Sequence, residues 1–153
     1  MLFLQKIPLV TTTMLIMMSC TSVTPATFVE TPNETGHWQA IYLHNNYGFF
    51  QNKNQQVWQR VVDILSEKYD LEVIDQASGY LRTAWKSHLD TNEQKYRSRI
   101  TLKMQGTIWH TAKLKGEAQW WDNQKQTWLT GYDTAILDET YQDLQGRIGT
   151  TVK

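Results

Sequence analysis

From Asn54 to Tyr69 the apolar residues recur at helical spacing: Val57, Trp58, Val61, Val62, Leu65 and Tyr69, with Gln55, Gln59, Arg60, Asp63 and Glu67 largely opposite. This stripe predicts an amphipathic helix lying on a core, with Asn54 as its cap. The period then changes to two. Leu71–Asp75 has the content of a strand, and Gln76-Ala77-Ser78-Gly79 reads as a turn in which Gly79 supplies the positive φ. Tyr80 to Ser87 alternates Leu81, Thr83 and Trp85 against Tyr80, Arg82, Ala84 and Lys86. Lys95 to Met104 alternates Tyr96, Ser98, Ile100, Leu102 and Met104 against Arg97, Arg99, Thr101 and Lys103. The polar stretch from His88 to Gln94 is the hairpin loop between them.

Thr107 to Trp121 continues the alternation, with Ile108, Ala112, Leu114, Ala118 and Trp120 facing one way and Trp109, Thr111, Lys113, Lys115, Glu117, Gln119 and Trp121 the other. The run is long beside the usual strand of about 5 or 6 residues, which makes Gly116 a place for a bend or bulge. Asp122-Asn123-Gln124 marks a turn, followed by a short edge strand over Lys125 to Leu129. Asp133 or Thr134 then caps a second helix buried through Ile136, Leu137, Tyr141, Leu144 and Ile148, with Gly146 and Gly149 weakening its end. Upstream, Trp38 to Leu43 is readable as a first strand and Asn45 to Gly48 as a turn. The order of elements predicts an α+β domain, an antiparallel meander of four to six strands with two helices packed on one face.

The 153 residues carry 15 Lys and Arg against 15 Asp and Glu, a balance that argues against nucleic acid as a partner. Seven Trp and seven Tyr provide large apolar area for one core. The single cysteine, Cys20, forbids an internal disulfide.

That cysteine closes a leader. Lys6, the apolar run Ile7 to Met18 and the small Ser19 before Cys20 resemble a bacterial lipoprotein signal with its lipobox Met17-Met18-Ser19-Cys20. The resemblance implies removal of residues 1–19 and acylation of Cys20, which anchors a protein without a spanning helix. Thr21 and Ser22 stand where an inner-membrane retention signal places Asp, which points to the outer membrane, facing the periplasm. Residues 20–36, rich in Thr with Pro25 and Pro32, are expected to form a flexible tether, leaving residues 37–153 as the single domain.

Trp58 in the first helix, Leu71-Glu72-Val73-Ile74-Asp75, Ser78-Gly79-Tyr80-Leu81-Arg82-Thr83-Ala84-Trp85, and Tyr96-Arg97-Ser98-Arg99 resemble the repeat domain of BamC, a lipoprotein of the outer-membrane β-barrel assembly machinery. The likeness covers residues 54–149 as a pattern and implies a helix-grip fold. BamC has two such domains after a long partner-binding segment, whereas one domain is visible here.

Little in the chain suggests catalysis or a cofactor. His37, His44, His88 and His110 are scattered, His110 on the apolar side of a strand, and no HExxH, Gly-rich phosphate loop or GxSxG elbow occurs. The alternation instead gathers Arg82, Lys86, Arg97, Arg99, Lys103, Lys113 and Lys115, with Trp109 and Trp121, on the sheet face away from the helices. Such a face either is a solvated surface with charges that discourage aggregation or docks an acidic protein surface or anionic head groups. Two functions fit: a non-enzymatic interaction module for envelope proteins, such as barrel-assembly subunits, and a periplasmic binding domain for a hydrophobic or anionic amphipathic ligand held between sheet and helix.

Overall fold

The computed structural model describes residues 24–32, 36–43, 53–89 and 95–149. The signal segment, Cys20, His44, the turn at 45–48 and the hairpin tip at 90–94 lie outside them.

The fold is built on one long hairpin. β6 (Lys95–Gln105) and β7 (Thr111–Asp122) pair without interruption from Tyr96↔Trp120 to Gln105↔Thr111. Each flank of the hairpin is shared by two shorter strands. β7 takes β2 (His37–Tyr42) along its first half and β8 (Thr127–Asp133) along its second. β6 takes β4 (Tyr80–Thr83) and β5 (Lys86–Leu89) in the same way. β3 (Leu71–Asp75) extends the sheet beyond β4, and β1 (Phe28–Glu30) beyond β8. All pairings are antiparallel, and the sheet has eight strands instead of the expected four to six. The two helices are α1 (Lys53–Ser66) and α2 (Thr134–Ile148).

Both helices cover one face. Val57, Trp58, Val61, Ile64 and Leu65 of α1 and Leu137, Leu144 and Ile148 of α2 share a buried cluster with Ile41, Leu81, Ile100, Leu102, Met104, Ala112 and Leu114 of the sheet. Burying each aliphatic side chain stabilises the fold by about 1.5–3 kcal/mol, so these rows hold the two layers together. Gly116 hosts no bulge in the pairing of β7 with β6. It makes room for α2, because a Cβ there would lie 3.3 Å from Leu137 Cδ1. Tyr96, Ala118 and Trp120 form a second buried group with Phe28, Leu129 and Ile136 against it.

Asp133 is the N-cap of α2, accepting from the N–H of Ala135 at 2.9 Å and of Ile136 at 3.2 Å. Its other oxygen accepts from Tyr96 Oη at 2.6 Å and Thr27 Oγ1 at 3.0 Å. Burial and the Asp133 carboxylate push the Tyr96 hydroxyl pKa up, so it stays a donor. Thr27 O in turn accepts from Thr134 N at 2.9 Å and Thr134 Oγ1 at 3.1 Å. Of the stretch expected to be a flexible tether, the described residues 24–32 are therefore seated on the domain through β1, where backbone pairing and the Asp133 contacts replace the apolar periodicity they lack.

Three local readings change. Asn54 does not cap α1: its Nδ2 donates to Thr107 O at 2.8 Å and its Oδ1 accepts from Trp109 N at 3.1 Å, fastening the β6–β7 turn to the helix. Residues 106–110 are that turn, so the alternation restarts after it. Ile108 is then exposed, and Trp109 is buried with its ring 5.8 Å from that of Trp58. His110 is exposed in the same turn and not in the core.

Candidate functional site on the open face of the sheet

Residues paired across antiparallel strands share a face, so the register assigns the uncovered side. It carries Arg97, Arg99, Thr101 and Lys103 of β6 opposite Gln119, Glu117, Lys115 and Lys113 of β7. Arg82 lies opposite Thr101, Tyr80 opposite Lys103, Trp38 opposite Lys115, and Trp128 opposite Trp121.

The middle of this face is a ladder of stacked groups. The Arg97 guanidinium sits between two rings, 4.9 Å from the centroid of Trp85 and 4.5 Å from that of Trp128, and its Nε donates to Gln119 Oε1 at 2.8 Å. Arg99 lies 4.4 Å from Trp85 and forks onto Glu117, with Nε to Oε2 at 3.0 Å and Nη2 to Oε1 at 3.2 Å. Lys115 approaches Glu117 Oε1 at 3.4 Å and the Trp38 ring at 5.7 Å. Trp128 meets Trp121 edge-on at 5.4 Å, and Lys95 lies over Trp121 at 5.6 Å. Planar guanidinium groups suit such stacking and forked pairing.

Glu117 holds the ladder from below. Burial alone would raise its pKa, but the Arg99 hydrogen bonds and the charges of Arg99 and Lys115 outweigh that and keep the carboxyl below its ordinary range. Glu117 thus balances one of the ladder's three cations, Arg97, Arg99 and Lys115, and the stacked rings hold the others in place.

The end of the face toward Tyr42 differs. Lys103 and Lys113 stand directly opposite each other, both exposed and with no ion-pair partner among the described residues. Ala40 lies beside Lys113, and the exposed Trp38 and Tyr42 border the patch on β2. Like charges directly opposite in a ladder are mildly unfavourable, and an anionic surface laid on them removes that cost.

Most of the residues expected on the interaction face share it: Arg82, Arg97, Arg99, Lys103, Lys113, Lys115 and Trp121. Two do not. Trp109 belongs to the core for the reason given above. Lys86 is on the helix side, paired with Ser98; its Nζ donates to Lys68 O at 3.0 Å and lies 5.2 Å from the Tyr69 ring. Between β4 and β5 the chain breaks at Ala84-Trp85, where Ala84 N donates to Asp70 O at 2.8 Å. The one-residue change of phase exchanges the two faces, turning Lys86 inward and Trp85 outward. Trp85, the ring shared by two arginines, was missed for the same reason. The apolar and polar alternation runs through Ala84-Trp85-Lys86 unbroken, so it carries no signal of the change.

The other chemistry is dispersed. The His37 ring stacks on Tyr132 at 5.1 Å, while His88 shares a hydrogen bond with Ser98 Oγ at 3.0 Å on β5. Burial first, and then the charge of Lys86, lowers the His88 pKa. A cleft of about 240 Å³ lies at the end of α1, lined by charged and polar residues from Ser66 to Asp70 together with Ala84, Trp85 and Lys86. Between sheet and helices, Trp58, Ile100 and Leu137 are buried in the core. The sequence matches no protein-family model, and comparison with curated proteins finds no significant match.

Proposed function

We propose that this chain is a non-enzymatic lipoprotein of the bacterial outer membrane, held at Cys20 and facing the periplasm. Its domain serves as an accessory interaction module in the assembly of outer-membrane proteins, with barrel-assembly subunits as the partner class. The observation that carries the reading is the open sheet face, where Lys103 and Lys113, exposed and without an ion-pair partner among the described residues, adjoin Trp38 and Tyr42. Aromatic side chains beside cations suit an acidic protein surface, and lipid anchoring raises the local concentration of such a partner. The leader and the resemblance of residues 54–149 to the BamC repeat supply the compartment and the process.

In-cell crosslinking with a photoreactive residue at Lys103 or Lys113 tests it. The expected adduct is an envelope protein, lost when the remaining lysine is replaced by Glu. An unchanged adduct in that charge-reversed, folded variant, or no protein adduct at either position, contradicts the reading.

A further inference from the structure

The N-terminal segment acts as a strap on the domain. β1 is paired to β8 at Phe28↔Asp133, Val29↔Tyr132 and Glu30↔Gly131, and Thr31 N donates to Thr130 O at 2.9 Å. Just ahead of it, Pro25 O accepts from Phe28 N at 3.0 Å. Residues 21–24 alone separate Cys20 from Pro25. At no more than ~3.6 Å per residue, an acylated Cys20 stays within about 20 Å of this edge of the sheet. Five strand spacings, about 24 Å, separate β1 from the opposite edge at β3, which is more than this reach, so the β1 side is the one held toward the bilayer.

The same edge carries an unusual share of exposed apolar surface. Val29 on β1 is 37% exposed, Trp38 and Tyr42 on β2 are 45% and 44%, and Ile108 in the adjoining turn is 59%. They follow one another along the edge, since β2 continues past β8 on the same flank of β7 and ends beside the β6–β7 turn. Ile74, also exposed, lies on β3 at the opposite edge. Trp and Tyr favour the boundary between headgroups and acyl chains, where an apolar ring body and a polar tip are both satisfied.

We propose that the β1–β2 edge rests on the headgroup region of the membrane that holds Cys20, as a second contact beside the acyl chains. This rests on the lipoprotein reading above. Trp38 and Tyr42 project from the same face as Lys103 and Lys113, so the contact holds that end of the face at headgroup level and restricts its protein partner to one embedded in, or lying on, the same membrane.

Because Cys20 is the only cysteine, a new thiol can be labelled uniquely once Cys20 is acylated. The test places an environment-sensitive fluorophore on Tyr42→Cys or Ile74→Cys in the full-length lipidated protein. Each is compared in detergent and after reconstitution into vesicles of phosphatidylethanolamine and phosphatidylglycerol. The expected result is a blue shift at position 42 in vesicles and none at 74. With Cys20 shown by mass spectrometry to be acylated, an unshifted signal at 42 or equal shifts at both positions overturns the membrane contact and leaves the lipoprotein reading standing. An unacylated Cys20 overturns both. A shift at 42 produced by raising protein concentration without vesicles assigns the edge to a second copy and overturns the proposal.

Discussion

The two ends of the open sheet face are made of the same residue types and are in opposite states. Around Trp85, Trp121 and Trp128, each arginine is stacked, and Glu117 sits beneath them as counter-charge. Around Trp38 and Tyr42, the two lysines of one cross-strand pair point into solvent. The difference lies in reach and packing. Arginine can lie flat between rings that neighbouring strands hold upright, and a buried carboxylate then fixes it. Lys113, beside Ala40, has neither ring nor carboxylate against it among the described residues. A count of basic and aromatic positions therefore overstates the surface available to a partner, since the ladder is occupied by its own contacts.

Removing Arg99 should break the comparison most sharply. It would leave Glu117, whose side chain is 7% exposed, with Lys115 as its remaining cation, and a buried charge deprived of its main partner costs on the order of 2–3 kcal/mol. Arg99→Ala is expected to lower the urea midpoint accordingly, while Lys113→Ala at the open end stays within about 0.5 kcal/mol. Equal effects would show that the two ends do not differ. Trp85→Ala follows, at about 1–2 kcal/mol, from lost ring contact with both Arg97 and Arg99.

Acid should weaken the ladder and not the open end. The folded Glu117 pKa lies below 4.5, so the native state binds this proton less readily than the unfolded chain. Its contribution is complete above that value and is lost as pH falls through the lowered one. Glu117→Gln, less stable at neutral pH, should show a shallower decline in midpoint as pH falls through and below the ordinary carboxylate range. Last and smallest, Lys113→Gln should stabilise the free protein by a few tenths of a kcal/mol through relief from Lys103, an effect that fades at high salt.

The sequence made the layers legible where the period was regular. β6, β7 and the buried stripes of both helices follow from it, as does the Asp133 cap. What it hid were changes of phase and structure held by distant contacts. The Ala84-Trp85 break swaps the faces of β4 and β5, and the turn at 106–110 sends Trp109 inward; neither leaves a mark in a count of alternating residues. β1 has no pattern of its own, because its place is set by backbone pairing to β8 and by Thr27 on Asp133, 106 positions away. On the open face, the register could be read for Arg97, Arg99, Lys103, Lys113 and Lys115, but their division into stacked and open groups depends on Trp85 and Trp128, which reach the ladder from the β4–β5 break and from β8.

The division of the face is tested most directly by the acetylation rates of individual lysines in the folded protein, followed by peptide mass spectrometry. Lys103 and Lys113 are predicted to react early, and Lys115, with its side chain 16% exposed and its Nζ at Glu117, to lag well behind them. Glu117→Gln should release Lys115 toward the faster rate. Equal rates for the three lysines in the unmodified protein would contradict the account.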